Sequence, residues 1–256
     1  MVGKSGRHKP ANTGLVFGRR SVAAFVSRFP DRVLSLEIVE AQAMRHSGGI
    51  VEQVKEHGIA VQTVQPKTLE AYAQGASHQG ICARIRPAQE LPEQDLEAYV
   101  PDHKPSLILV LDRVQDPHNL GACLRTAEAT GVDLVIAPRN QAVGLTPTVR
   151  KVASGAAEFV PYLRVTNLSR TLTRLKELNV WCVALSGEAE ESLYDVDLTG
   201  SVALVLGSEG AGIRELTKKT CDRLASLPLM GEVGSLNVSV ATGVGLYEVL
   251  RQRRET

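Results

Sequence analysis

Residues 201–212 read Ser-Val-Ala-Leu-Val-Leu-Gly-Ser-Glu-Gly-Ala-Gly, five apolar residues in succession followed by three glycines set around one carboxylate, Glu209. An unbroken apolar run that ends at a turn signal is the pattern of a strand buried on both faces, the hallmark of parallel sheets. The same grammar recurs as LILVLD at 107–112, VDLVIAP at 132–138, VWCVALS at 180–186 and a shorter LASLPLM at 224–230. Between these runs the spacing predicts helices over 120–130, closed by Gly131, over 168–178, followed by Asn179, over 213–223, and from near Ser235 to near Arg253. Alternation of this kind predicts an open, mostly parallel α/β sheet with helices on both faces. Ligands in such sheets sit beyond the carboxyl ends of the strands, so the residues behind each strand are the candidates for function.

Working outward, residues 87–105 carry four prolines (Pro87, Pro92, Pro101, Pro105) and five acids against the single Lys104. That composition reads as a linker. It separates a large C-terminal unit, 106–256, from a small unit, 14–86, preceded by a flexible basic arm, 1–13. In the small unit helices are predicted over 21–28, 50–57 and 69–74, and strands over 33–39, 59–64 and 81–86, an alternating α/β module. The whole chain has 256 residues, 43% apolar and 22% charged, which excludes disorder, coiled coil and collagen. The net charge is +1, so global charge points to no nucleic-acid partner. Its distribution is more telling. The first thirty residues hold six Lys/Arg (Lys4, Arg7, Lys9, Arg19, Arg20, Arg28) and no acid, a local excess able to meet phosphates or to stand as a solvated tail. The same basic start is also readable as an organellar transit segment, against the preferred cytoplasmic-type enzyme. Cys82, Cys123, Cys182 and Cys221 are far apart, with no Cys-x-x-Cys and no histidine at ligand spacing, which predicts reduced structural thiols and no metal site. No run reaches the length of a membrane span.

Three strand ends carry candidate chemistry. Behind LILVLD, Asn119 occupies an expected helix N-cap position and Arg125 lies on the following helix; the plain alternatives are a cap and a solvated surface arginine. Behind SVALVL, the glycines around Glu209 form neither a G-x-G-x-x-G dinucleotide fingerprint nor a phosphate loop, which argues against an oxidoreductase or an ATPase. They permit close approach of a flat ligand, or simply a strand-to-helix turn. Behind LASLPLM, Ser235 and Asn237 precede a helix whose early Ala241, Gly243 and Gly245 are costly by up to ~1 kcal/mol per glycine, so something is expected to pack closely there. Trp181 is expected inside a buried strand.

Asn119-Leu-Gly-Ala-Cys-Leu-Arg125, Leu206-Gly-Ser-Glu-Gly-Ala-Gly212, and Leu227-Pro-Leu-Met230 with Ser235-Leu-Asn-Val-Ser-Val-Ala241 together resemble the three motifs of the SpoU (TrmH-like) ribose 2′-O-methyltransferases of the SPOUT class. Val16-Phe-Gly18, His78-Gln-Gly-Ile81 and Lys151 to Glu158 extend the resemblance, toward the bacterial branch acting on a guanosine of 23S rRNA, so that it covers about residues 14–254. The resemblance implies a C-terminal SPOUT domain with a deep trefoil knot and a small N-terminal L30e-like RNA-binding domain. It implies methyl transfer from S-adenosyl-L-methionine, without a metal, to the ribose 2′-hydroxyl of a guanosine in the P-site hairpin of 23S rRNA. A tRNA or another rRNA site, and a non-catalytic RNA-binding assembly factor, stay as alternatives.

By the same resemblance Asn119, Arg125, Glu209, Ser235 and Asn237 are the catalytic set, and Gly207, Gly210, Leu227, Met230 and Leu236 hold the cofactor. Arg125 is the main candidate for activating the hydroxyl. A guanidinium with a pKa of about 12.5 or more almost never gives up its proton, so a phosphate and oxyanion clamp suits its chemistry better than a literal base. Arg19, Arg20, Arg28, Arg113 and His118 are the candidate RNA contacts. A homodimer through the C-terminal domain is implied as well.

Overall fold

The computed structural model describes residues 13–39, 48–73, 75, 77–232 and 234–254. Residues 1–12, most of the predicted arm, lie outside them. The chain divides into two compact units, 1–87 and 88–256.

In the first unit β1 (Gly14–Phe17), α1 (Arg19–Arg28), β2 (Val33–Ile38), α2 (Gly48–Glu56), β3 (Ala60–Thr63), α3 (Pro66–Ala73) and β4 (Ile81–Ile85) follow one another. The sheet order is β1-β4-β2-β3, with β4 antiparallel to both neighbours and β2 parallel to β3. Strand β1 is not in the sequence reading, since four residues are too short a run for periodicity to declare. Gly18, at φ 83, ends it in a conformation only glycine takes without strain, and the Gln79 side chain then accepts the Arg19 amide at 3.0 Å, tying the start of α1 to the turn before β4.

The second unit opens with β5 (Leu91–Pro92), then β6 (Leu107–Asp112), α4 (Pro117–Ala129), β7 (Leu134–Pro138), α5 (Pro147–Val152), β8 (Tyr162–Val165), α6 (Leu168–Glu177), β9 (Trp181–Leu185), β10 (Val202–Gly207), α7 (Glu215–Thr220), β11 (Arg223–Ala225) and α8 (Val238–Arg254). The order β11-β9-β10-β6-β7-β8-β5 is parallel at every pairing. Every residue of β6 is buried, and alternate residues serve opposite faces: Leu107, Leu109 and Leu111 join one core, Ile108 and Val110 the other. At ~1.5–3 kcal/mol per fully buried aliphatic side chain, this pair of cores holds β6 and its neighbour β10 at the centre. From β6 the chain first lays strands to one side and then returns to the other, so the strand order reverses between β6 and β10. That crevice is where such sheets place ligands.

Several expectations need correction. The proline-rich acidic stretch is not a free linker: Leu91–Pro92 pairs with β8, Glu93–Tyr99 forms a 3₁₀ helix, and Glu93 and Glu97 are ion-paired with Arg170 and Arg174 of α6. Prolines suit an edge strand and a helix start, which is how they are used here. Trp181 opens β9 with 55% exposure, because the first residue of a strand stands at the rim of the sheet. Strand β8 went unread because it carries Arg164, which is buried by donating to the carbonyls of Pro138, Arg139 and Ala142. The apolar run after Ala225 leaves the sheet and becomes loop, and α8 starts at Val238 rather than near Ser235. Gly245 does sit against Leu185 and Leu204, as its helix cost suggests, whereas nothing lies within 4 Å of a Cβ at Gly243.

Candidate active site

The carboxyl ends of β9, β10 and β11 border a cavity of about 700 Å³, within the ~300–1,000 Å³ usual for small-molecule sites. Its walls are Leu185 to Glu188 behind β9, residues 206–213 behind β10, Leu227 and Leu229 behind β11, and residues 234–238 with Ala241 at the start of α8. Loop 207–213 keeps its shape through backbone contacts. The Gly212 amide donates to Ser208 O at 2.9 Å, Gly210 and Gly212 have φ of 77 and 61, and a Cβ on Gly207 would overlap the backbone of Gly212 and Ile213. The loop is therefore glycine-rich for two separate reasons, left-handed backbone at its tip and close approach at its base.

Asn119, Glu209 and Asn237 meet at this rim. Asn119 Nδ2 donates to Glu209 Oε1 at 3.1 Å, Asn237 Nδ2 donates to Asn119 Oδ1 at 3.0 Å, and Asn237 Nδ2 also donates to Glu209 Oε1. Asn119 is buried and is not a cap. Asp116 caps α4 by accepting the His118 amide at 2.9 Å, with Pro117 in the first turn, which frees the Asn119 side chain for the ring. Asn237 does cap: its Oδ1 accepts the Ser239 amide at 2.8 Å and Ser239 Oγ at 2.6 Å. With that oxygen committed, its amide group must face Asn119 and Glu209, so both asparagines are held in one orientation. Glu209 Oε2 accepts no hydrogen bond among the described residues. Behind the ring, Cys123 of α4 meets Thr242 of α8 at 3.4 Å, and burial pushes its thiol up to about 11.

Ser235 lines the cavity and is exposed. Gly207, Gly210, Leu227 and Leu236 line it too, whereas Met230 is 99% exposed and does not. Arg125 is not brought to the ring. Six residues of α-helix from Asn119 place it about 9 Å along the axis and a third of a turn around it. It is exposed and has no hydrogen-bond or ion-pair partner among the described residues. Arg113 and His118 stand in the loop and first turn after β6. Arg113 has φ 63, the left-handed region, and its Nε is buried without a hydrogen-bond partner among the described residues. In the first unit Arg20 and Arg28 are exposed and Arg19 half-buried, with the Arg28 guanidinium 5.2 Å from the Phe29 ring centroid.

Two charged residues at the cavity were missed by the motif reading. Lys218 Nζ donates to Glu188 Oε2 at 2.7 Å, which raises the lysine pKa and holds the Glu188 carboxyl below its ordinary range. Glu188 and Glu209 against Lys218 leave an excess of acid around a cavity lined by both polar and apolar groups. Among the described residues no cluster of His, Cys, Asp or Glu is arranged to hold a metal.

The cavity, the Asn-Glu-Asn ring and every strand of the all-parallel sheet except β5 lie within residues 106–247, which match the SpoU rRNA Methylase family, and the chain belongs to that family of methyltransferases. Residues 15–91 match the RNA 2′-O ribose methyltransferase substrate-binding family. Among curated proteins the chain is 48% identical over 239 residues to the 23S rRNA (guanosine-2′-O-)-methyltransferase RlmB of Pasteurella multocida, covering 93% of this chain and 98% of that one. It is 47% identical over 239 residues to RlmB of Vibrio cholerae, covering 93% and 97%. Among solved structures, the SpoU methyltransferase AviRb of Streptomyces viridochromogenes in complex with AdoMet superposes with a TM-score of 0.71 over 99% of this chain and 96% of that one, at 22% identity, a likeness of fold.

Proposed function

We propose that this protein transfers a methyl group from S-adenosylmethionine to the ribose 2′-hydroxyl of a guanosine in 23S rRNA, in the P-site hairpin. The observation that carries this reading is the ring of Asn119, Glu209 and Asn237, which ties three separate motif segments to one rim beside a cofactor-sized cavity. Near-half identity to RlmB proteins along almost their full length supports the substrate. When bound, the cofactor supplies a methyl group on a positively charged sulfur. The chain's own residues would then bind, orient and manage a proton.

Leu206, Ile213, Leu227 and Leu236 offer apolar contact for an adenine ring, and the glycine loop offers main-chain groups for its polar edge. The two asparagines fix the Glu209 carboxylate through Oε1, leaving Oε2 to accept from the incoming hydroxyl or a neighbouring group. Ser235 adds a hydroxyl at the same rim. Arg125, solvent-exposed on α4, is assigned to the phosphate beside the target ribose, and to the oxygen as it gains charge. Arg113 and His118 extend that basic surface, and Arg19, Arg20 and Arg28 serve the first unit's hold on RNA.

Trefoil threading of the chain end around the cavity is part of the same reading, as is a homodimer through α8, where Val240 and Tyr247 are 50% and 54% exposed. A cytoplasmic location belongs to the same reading, since an enzyme that modifies rRNA works where its RNA is; among the described residues no helix is long and apolar enough to cross a membrane. Purified protein incubated with methyl-tritiated cofactor and unmodified total RNA should label 23S rRNA at one guanosine, with the adjacent bond resistant to alkali, as a 2′-O-methyl requires. Label in tRNA would overturn the substrate, and the absence of any alkali-resistant product would overturn the reaction.

A further inference from the structure

Asp112, the last residue of β6, is fully buried, and none of the steps above uses it. A carboxylate taken out of water costs several kcal/mol unless its partners replace the lost hydration. One residue does so. Arg214 donates from Nε to Asp112 Oδ1 at 2.9 Å and to Oδ2 at 3.1 Å, its Nη2 lies 2.8 Å from Oδ1, and its backbone amide donates to Oδ2 at 3.1 Å. Side chain and main chain of a single residue are thus clamped by a single carboxylate.

The position of that clamp gives it meaning. Asp112 is the sheet partner of Gly207, so it stands beside the entrance of loop 207–213, while Arg214 is the first residue after the loop's exit. Both ends of the glycine loop are therefore anchored at one point, the end of β6, and the same strand leads through residues 113–116 into α4 and Asn119. We propose that Asp112 is a positioning residue for methyl transfer: acting through Arg214, it holds the loop closed in the shape that receives the cofactor and presents Glu209 to Asn119 and Asn237. This rests on the reading of the cavity as the cofactor site.

Three features separate a positioning role from simple core stability. The arginine side chain is 40% exposed, so the pair is not needed to fill space on that side. Its planar fork satisfies two carboxylate oxygens, which a lysine cannot reproduce. Moreover, residues 208–211 bury no apolar side chain, so beyond the Gly212 to Ser208 hydrogen bond and the Glu209 ring the loop is held at its ends.

The test uses wild type, Arg214→Lys, Arg214→Gln and the double variant Asp112→Asn/Arg214→Gln, which avoids leaving a lone buried charge. Each is measured for S-adenosylhomocysteine binding by calorimetry, for KM and kcat, for thermal stability, and for hydrogen exchange of the amides at 208–213. Binding is expected to weaken at least tenfold in Arg214→Gln and in the double variant and less in Arg214→Lys, with KM for the cofactor rising by a similar factor and loop exchange accelerating. In the double variant the melting temperature should stay near wild type while affinity does not recover. Wild-type affinity and loop exchange in a folded double variant would overturn the positioning role. A wild-type protein that binds no S-adenosylhomocysteine would overturn the cofactor reading itself.

Discussion

Gly207→Ala probes how closely the base of the cofactor loop is packed. The added Cβ would meet the Gly212 carbonyl group and the Ile213 amide nitrogen, well inside the 3.0 Å that real contacts of this kind respect, and all three atoms are backbone. To reach an ordinary contact, the loop exit must retreat by on the order of 1 Å, a misplacement that in an enzyme can cost about a hundredfold. Retreat on that side also strains the Gly212 to Ser208 hydrogen bond and the anchorage at Arg214. Losing two backbone hydrogen bonds to a ligand, at ~1 kcal/mol each, weakens binding by roughly thirtyfold. Overpacking of ~1–3 kcal/mol would also lower the melting temperature by roughly 2–12 °C. Calorimetric titration with S-adenosylhomocysteine, paired with a thermal melt, reads both effects. Binding within twofold of wild type in the folded variant would refute the argument that this loop's base sets the site.

Arg125→Ala removes an exposed side chain with no partner among the described residues, so folding and S-adenosylhomocysteine affinity should be unchanged while methyl transfer to RNA is lost; substantial remaining turnover would reject the clamp. Glu248 of α8 is 5% exposed, and its carboxyl is held below the ordinary 4.5 by hydrogen bonds from Arg251 and Gln252. Because the folded-state pKa is the lower one, this contribution is full above the unfolded-state value and fades as pH falls below about 4.5. Glu248→Gln should be less stable than wild type at pH 7, and the gap should close on acidification; a pH-independent gap would contradict it. Burial pushes the Cys82 and Cys221 thiols up to about 12 and Cys123 to about 11, and also raises Cys182, so the native protein at pH 8 should react with a disulfide reagent only after denaturant is added.

Much of the second unit was legible because its strands are buried on both faces. A strand that needs apolar residues at every position, as 107–111 and 202–206 do, declares itself without any knowledge of its partners. The cofactor loop was legible for a related reason, since three glycines around Glu209 answer to local backbone demands. Asn119 shows the limit. A helix start offers several polar residues as caps, and only the structure shows that Asp116 takes the role and leaves Asn119 for the ring. Met230 shares a motif with Leu227, yet Leu227 and Leu229 line the cavity while Met230 stands in solvent, a difference that the loop's path in three dimensions sets.

The sequence by itself determined the architecture class, the order of the main elements, and which three segments carry chemistry, because burial periodicity and backbone conformation are properties of neighbouring residues. Only the tertiary structure decided that Asn119, Glu209 and Asn237, up to 118 residues apart, share hydrogen bonds, and that Asp112 and Arg214 clamp the loop between them. Contacts across such separations depend on strand order, and strand order follows from how two apolar faces are covered at once, a condition no local pattern encodes.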